Sequence, residues 1–312
     1  MLISICIPCY RSAKTLPVVV ETIKEEFKKN PEYDYQLILV NDCSPDDTFE
    51  VIRSLCAEDD KITGVNLSRN YGQASAKMCA LQYATGDAVV FMDDDGQHPP
   101  DGIFKLIDKM NEGYDVVYAH FKNKKHTPFK KITSGMHNKL CEMMGTKPKG
   151  IYRSSFFVWN KTVADAMKHY TSPFLSIGGY LMHVTSSYAN VDIEHKERIA
   201  GHSGYTLKKL FALWINIFIS FSMAPLRAAT FLGFLLSGVG FLWGIVLIIR
   251  KLIDPSIVAG YTSIIVWIIL IGGNIMIMLG TIGEYVGRIY MTVSNMPQYY
   301  IREEINTGES SQ

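Results

Sequence analysis

"FMDDDGQHPP" runs from Phe91 to Pro100 and places three consecutive carboxylates directly behind the apolar run Ala88–Met92. Like charges this close repel, and they are tolerated only where solvent, hydrogen-bond donors or a cation receive them. The stretch is either a solvated turn or a metal-holding one, and its surroundings in the chain bear on the choice. Upstream and downstream, short apolar runs alternate with amphipathic ones. Leu2–Pro8, Gln36–Asn41, Ile62–Leu67, Ala88–Met92 and Asp115–Ala119 read as strands rich in Ile and Val. Ala13–Lys29, Asp47–Ala57, Gly72–Ala84 and Asp101–Glu112 between them have helical spacing. This alternation predicts an α/β domain with a mostly parallel sheet covered on both faces. Ligands of such sheets bind outside the carboxyl ends of the strands. The residues falling there are Pro8-Cys9-Tyr10, Asn41-Asp42, Ser68-Arg69-Asn70 and Asp93-Asp94-Asp95.

The chain of 312 residues carries 31 basic and 30 acidic side chains, a balance that gives no basic footprint for nucleic acid, and no such partner is expected. Its apolar residues are unevenly placed. No charged residue occurs from Ala228 to Ile249, nor from Pro255 to Gly283. At about 1.5 Å per helical residue, roughly 20 apolar residues cross a bilayer core, so two membrane spans are expected. No charged segment followed by an apolar one opens the sequence, and a secretory signal is not expected. Lys208, Lys209, Arg227 and Arg288 flank the spans on the domain side against Arg250 and Lys251 in the loop, which favours a cytoplasmic domain slightly. Cys6 and Cys9 form a C-x-x-C along an apparent strand with no second pair, which reads as reduced, buried thiols. Leu207–Phe221, with Lys208 and Lys209 ahead of Phe211, Trp214, Phe218 and Phe221, suits a helix in the membrane interface. The basic stretch Phe121–Lys149 reads either as a solvated face or as a contact for lipid headgroups or a phosphorylated ligand. There is no G-x-G-x-x-G after the first strand and no G-x-x-x-x-G-K-[ST], which argues against a dinucleotide dehydrogenase or a P-loop enzyme.

Alternate residues of an extended segment share a face, so Asp93 and Asp95 are expected to point together and Asp94 elsewhere. Such a pair suits Mg2+ or Mn2+, which take one or two carboxylates and complete their shell with water and substrate phosphates.

At this point the sequence resembles the membrane-bound polyprenyl-phosphate glycosyltransferases of family 2, which include dolichol-phosphate mannosyltransferase and the undecaprenyl-phosphate glucosyl and aminoarabinose transferases. "ISICIPCYRSAKTL", "LILVNDCSPDDT", "NLSRNYGQASA" and "ATGDAVVFMDDDGQHPPD" are similar, in order, to the family's opening strand, its nucleotide-contacting segment, its next helix entry and its D-x-D segment. "HKERIAGHSGYTLKKL", "FSMAPLR" and "GEYVGRIY" resemble its acceptor loop, its entry to the membrane and its exit from the last span. The resemblance implies a GT-A type nucleotide-sugar domain followed by an interfacial helix and two transmembrane helices. The expected boundaries are 1–206 for the cytoplasmic domain, 207–227 for the interfacial helix, 228–250 and 260–283 for the spans with a loop at 251–259, and 284–312 for a cytoplasmic tail.

The implied activity is metal-dependent, inverting transfer of one sugar from a nucleotide-sugar donor, UDP-linked, to a polyprenyl phosphate such as undecaprenyl phosphate. The product would be a lipid-linked sugar for the cell envelope, made at the inner, plasma membrane. In this reading Asp93 and Asp95 hold Mg2+ or Mn2+, and Pro8, Tyr10, Asp42, Arg69, Asp93 and Gln97 surround the nucleotide sugar. Asp94, Asp95 and Arg198 are the catalytic set, and Arg198, Ser203, Lys122 and Lys124 receive the acceptor phosphate. Structural roles compete at several of these positions. Asp42 could cap the helix near Asp47, Arg198 could pair with Glu194 or Glu197, Arg69 could be a plain sheet-edge charge, and Gln97 and His98 could only shape the turn. Departures from the family pattern are Phe121 where many members have Arg, Gly150-Ile151-Tyr152-Arg153 without the usual Asp, and "SNMPQYYI" without a basic residue before Pro297. A processive synthase of the same fold would carry Q-x-x-R-W, and none of the four Trp follows an Arg. A non-catalytic nucleotide-sugar-binding scaffold is the rival from another class, and the sequence leaves homo-oligomer formation open.

Overall fold

The computed structural model describes residues 1–121, 147–173, 177–194, 224–253, 260–294 and 296–307. The chain divides into two units, Met1–Gly204 together with Asn295–Gln312, and Tyr205–Ser294. The first unit begins with β1 (Leu2–Cys9), α1 (Leu16–Lys29), β2 (Asp34–Asn41), α2 (Thr48–Glu58), β3 (Ile62–Leu67), α3 (Gln73–Tyr83), β4 (Ala88–Phe91), α4 (Asp101–Asn111) and β5 (Val116–Phe121). It continues with β6 (Phe157–Asn160), α5 (Lys161–Lys168), α6 (Ile177–Val184) and β7 (Tyr188–Ile193), and ends with β8 (Ile301–Ile305).

These strands form one sheet in the order β7-β5-β6-β4-β1-β2-β3-β8. The pairs β1–β2, β2–β3, β1–β4 and β5–β7 are parallel. Both sheet faces are covered. Ile3, Ile5 and Ile7 of β1 and Leu37 and Leu39 of β2 enter a core with α1, α2 and α4. Cys6, Ile38 and Val40 enter the opposite core with α3, α5 and α6. Each fully buried Ile, Leu or Val contributes about 1.5–3 kcal/mol, which is why these strands read as near-continuous apolar runs. Helix α2 sits close enough on β3 that a methyl added at Gly64 would meet Ile52 Cγ2 at 2.7 Å and Cys56 Sγ at 3.0 Å.

The architecture departs from the expectation in two places, one inside the sheet and one at its edge. Strand β6 inserts antiparallel between β4 and β5, so β5 does not continue the parallel series. The expected tail 284–312 is not a tail: its first residues are helical, and β8 pairs antiparallel with β3. That strand occupies the unpaired N–H and C=O groups which β3 would otherwise expose at an edge. Its seat is reinforced by Arg53 on Glu303 at 2.6 Å and by Asn306 Nδ2 donating to the carbonyls of Cys56 and Ile62.

The second unit contains α7 (Ala224–Ile253) and α8 (Tyr261–Val293). A methyl on Gly233 would lie 3.7 Å from both Asn274 and Met278, and one on Gly240 would lie 3.9 Å from Trp267, so the helices pack antiparallel. Both run beyond the expected 228–250 and 260–283. Among the described residues one segment has the length and apolar content of a membrane span, Leu270–Val293. It passes the expected end at Gly283, and beyond that point Glu284 and Arg288 stand one turn apart and pair at 3.0 Å along the helix. The second expected span, 260–283, overlaps this candidate segment in part. The first lies within a helix, but no segment of α7 meets the same measure among the described residues.

Candidate functional site

Strands β1, β2 and β3 end in register, with Cys9 beside Asn41 and Asn41 beside Asn66, so the segments that follow emerge at one edge. The β1–β4 ladder ends at Cys6–Phe91, which places the acidic segment on the same edge. The backbone turns sharply there, and Arg11 (φ 59°) and Cys43 (φ 50°) adopt left-handed conformations that non-glycine residues adopt at some energetic cost. Arg11 N–H donates to Ser44 Oγ at 3.0 Å, which ties the two turns together.

Asp42 is 4% exposed, and its carboxylate accepts from the backbone N–H groups of Tyr71 at 2.7 Å and Gly72 at 2.8 Å. Gly72 is the N-cap position of α3, so Asp42 caps α3 from a distance and not the helix beginning at Thr48. Burial raises its pKa against the lowering by these two bonds. Arg69 lies over the Tyr71 ring at 4.7 Å, which places the guanidinium above the same loop. Tyr10 is 45% exposed at the edge. Pro8 is buried within β1, past the last β4 rung, where its missing N–H is tolerated. Its side chain is therefore not an exposed wall at the sheet edge.

Strand β4 ends at Phe91, and Asp93–Asp95 form a bend, so alternation of faces does not govern the three acids. Gly96 (φ 74°) turns the chain back toward Pro99, which α4 follows. The three carboxylates take separate surroundings. Asp93 accepts from Gln73 Nε2 at 2.7 Å, with Lys77 Nζ at 3.9 Å and His98 Nε2 at 3.8 Å. Burial alone raises its pKa, but Lys77, His98, Ser155 and Gln73 outweigh it and hold the carboxyl below the usual range. Asp94 accepts from Tyr10 N–H at 3.0 Å and from Ser12 Oγ. Burial, with a smaller push from Asp93, raises it to about 6. This makes Asp94, expected among the catalytic residues and turned away from Asp93, a tie between the acidic turn and the β1 loop. Asp95 accepts from the Gln97 backbone N–H at 3.1 Å.

His98 organises this bend. It is 4% exposed, accepts from the Asp93 N–H at Nδ1 (2.9 Å), and faces Ser155 Oγ through Nε2 at 3.4 Å. Its ring stacks on Phe156 at 4.9 Å and Phe121 at 5.8 Å. Phe121, which departs from the family's Arg, thus builds the platform under His98. The loop Gly150–Arg153 brings its neighbour Ser155, not a carboxylate, to Asp93.

The structure therefore brings together Tyr10, Asp42, Arg69, Asp93, Asp94, Asp95 and Gln97. Lys122, Lys124, Arg198 and Ser203 lie outside the described residues. Sequence reasoning missed Gln73, Lys77 and Ser155. The signal was faint: Gln73 and Lys77 are four apart on a helix that is otherwise apolar along Ala76–Leu81. Cys6 and Cys9, three apart on β1, enter opposite cores and are free thiols, so the C-x-x-C cannot close on one ligand.

Among the described residues no group of three or more His, Cys, Asp or Glu is placed to hold a metal. Asp93 and Asp95 offer hard oxygen donors only, and two at most. That set fits Mg2+ or Mn2+ sharing a site with substrate phosphates and water, and does not fit a closed structural metal site.

Comparison with known proteins agrees with this geometry. The family described as "Glycosyl transferase family 2" matches residues 4–172, which run from within β1 to past α5 and include the whole acidic bend. The chain is similar to the uncharacterized glycosyltransferase YkcC of Bacillus subtilis (strain 168), 34% identical over 96% of this chain and 93% of that one. It is 33% identical to the undecaprenyl-phosphate 4-deoxy-4-formamido-L-arabinose transferase of Proteus mirabilis, over 97% and 94% of the two chains. It is 32% identical to the SfII prophage-derived bactoprenol glucosyl transferase of Shigella flexneri, over 97% and 98%. With a match covering more than half of its length and relatives aligned nearly end to end, the chain belongs to glycosyltransferase family 2.

Proposed function

We propose that this protein transfers a single sugar from a nucleotide-sugar donor to a polyprenyl phosphate at a membrane surface. The observation that carries the reading is the end-to-end similarity to relatives named for undecaprenyl phosphate and bactoprenol, with the acidic bend at the carboxyl edge of the sheet. Asp93 and Asp95 would hold Mg2+ or Mn2+, and the cation, when bound, withdraws charge from the departing diphosphate. Tyr10, Asp42, Arg69 and Gln97 would orient the nucleoside around it, with Pro8 shaping the strand below. A phosphate acceptor is already largely ionised near neutral pH, so no strong general base is needed. This agrees with Asp94 being engaged by Tyr10 and Ser12. Arg198, Ser203, Lys122 and Lys124 would receive the acceptor's phosphate, and attack by its oxygen on the face opposite the diphosphate would invert the anomeric centre.

A membrane setting is supported by the second unit. Phe231 and Phe241 are 71% exposed and Met276 is 72% exposed, an apolar surface suited to lipid contact and not to water. Both helices would span the bilayer, with the sheet domain on the cytoplasmic side. The test is direct. Membranes containing the protein are incubated with undecaprenyl phosphate, Mg2+ or Mn2+ and a panel of labelled nucleotide sugars, and the organic phase is counted. A metal-dependent lipid-soluble product is expected. Absence of labelled lipid with every donor, while a family member run in parallel yields it, refutes the reading.

A further inference from the structure

Helix α3 contains a lysine where an apolar residue would pack. Lys77 is 6% exposed and lies between Ala76 and Met78 in a run buried from Ser75 to Leu81. Its Nζ stands 3.9 Å from Asp93 Oδ1, donates to the Ser155 carbonyl at 3.4 Å, and lies 5.3 Å from the Phe157 ring centroid. Gln73, one turn earlier on the same helix, donates to the same Asp93 oxygen at 2.7 Å. The other carboxylate oxygen faces His98 at 3.8 Å. A buried ammonium of this kind persists only when paired, and replacing such a pair by apolar groups is often neutral or stabilising. Stability therefore gives little reason for Lys77, whereas its position gives one.

We propose that Lys77 is a positioning residue that holds Asp93 as a pre-neutralised carboxylate, so that the free protein binds a divalent cation weakly and tight binding needs a nucleoside diphosphate. This rests on the reading of Asp93 and Asp95 as the cation's protein ligands. With Lys77 in place, one of the two negative charges offered to the cation is already countered. The phosphates of the donor supply what the protein withholds, and the cation enters with the donor. Gln73 and Lys77 together also fix the carboxylate's direction before either arrives.

The test uses the full-length protein in detergent, with Mn2+ binding followed by the electron-paramagnetic-resonance signal of free Mn2+. UDP, GDP and ADP are added in parallel. For the unaltered protein, Mn2+ alone should bind weakly, and at least one nucleotide should tighten it by at least about tenfold. Lys77→Met should bind Mn2+ alone about ten- to a hundredfold more tightly, as expected from removing a cation about 4 Å from the ligand. Its remaining gain from nucleotide should be small, and Lys77→Arg should restore the dependence. Lys77→Gln repeats the measurement should the methionine variant fail to fold by circular dichroism. Asp95→Ala separates the two ideas. If it leaves Mn2+ binding intact, the metal reading itself is wrong. If it abolishes binding while Lys77→Met and Lys77→Gln bind Mn2+ as the unaltered protein does, or more weakly, the role given to Lys77 is overturned alone.

Discussion

His98→Phe removes the polar contacts of the imidazole with Asp93 and Ser155, the shortest being the bond from the Asp93 N–H, while leaving its packing nearly intact. In the native chain the imidazole accepts the Asp93 N–H at 2.9 Å and is stacked by Phe156 and Phe121 at 4.9 and 5.8 Å. Phenylalanine keeps a flat ring between those two partners but offers no acceptor. The Asp93 N–H, enclosed by the bend, then loses its partner at about 1–3 kcal/mol. His98→Leu removes the stacking as well, at about 0.5–1.5 kcal/mol for each of the two ring pairs. It should be less stable than His98→Phe by roughly 1–3 kcal/mol. For a domain of this size each kcal/mol lowers the melting midpoint by about 2–4 °C. The assay is thermal unfolding of the purified protein followed by circular dichroism, with sugar transfer measured on the same samples. Both variants should melt earlier, in the order leucine before phenylalanine before native. Transfer should fall in both, because the acids on either side of the lost bond are no longer held. A phenylalanine variant with the native midpoint and native transfer would refute the account of His98 as the organiser of the bend.

Further outcomes follow from other contacts. Asp94, raised from 3.8 to about 6, is harder to ionise in the folded chain than in the unfolded one, by roughly 3 kcal/mol. Its favourable contribution is complete below pH 3.8 and is lost as pH rises through about 6. In EDTA, Asp94→Asn should therefore gain on the native protein between those values, and a melting difference that is flat with pH would contradict this. Asn306→Ala, which removes two bonds seating β8 on the outer strand, should cost about 1–3 kcal/mol and raise amide exchange in β3, measured by hydrogen–deuterium exchange. Gly64→Val should destabilise by about 1–3 kcal/mol or more, since even a Cβ meets Ile52 at 2.7 Å, and its melting midpoint is the measurement. Asp95→Ala should abolish metal-stimulated transfer while leaving the melting midpoint of the metal-free protein within a few degrees of native.

Much of the sheet is legible in the linear chain because its strands are short, apolar and local in their signal. The runs at Leu2, Gln36, Ile62 and Ala88 each predict a strand within two residues of where it lies. Burial on both faces, which makes those runs continuous, is a property that composition records. The acidic bend, its place at the carboxyl edge and the residues Tyr10, Asp42 and Arg69 were equally readable, since alternating strands and helices put them at one end. Strands β6 and β8 were not. Each pairs with a strand far away in the chain, so its reason for being extended is an open edge elsewhere and not its own pattern.

The directions of the three acids belong to the same class. Strand periodicity would pair Asp93 with Asp95, but the strand stops at Phe91, and tertiary donors then aim each carboxylate. Gln73 and Lys77 from α3 take Asp93, and Tyr10 and Ser12 from the β1 turn take Asp94. What the sequence by itself determined was where carboxylates could gather, because local periodicity places strand ends. What only the tertiary structure decided was which of them is already neutralised and which is turned away, because a carboxylate's direction is set by whichever donors packing brings within hydrogen-bond reach.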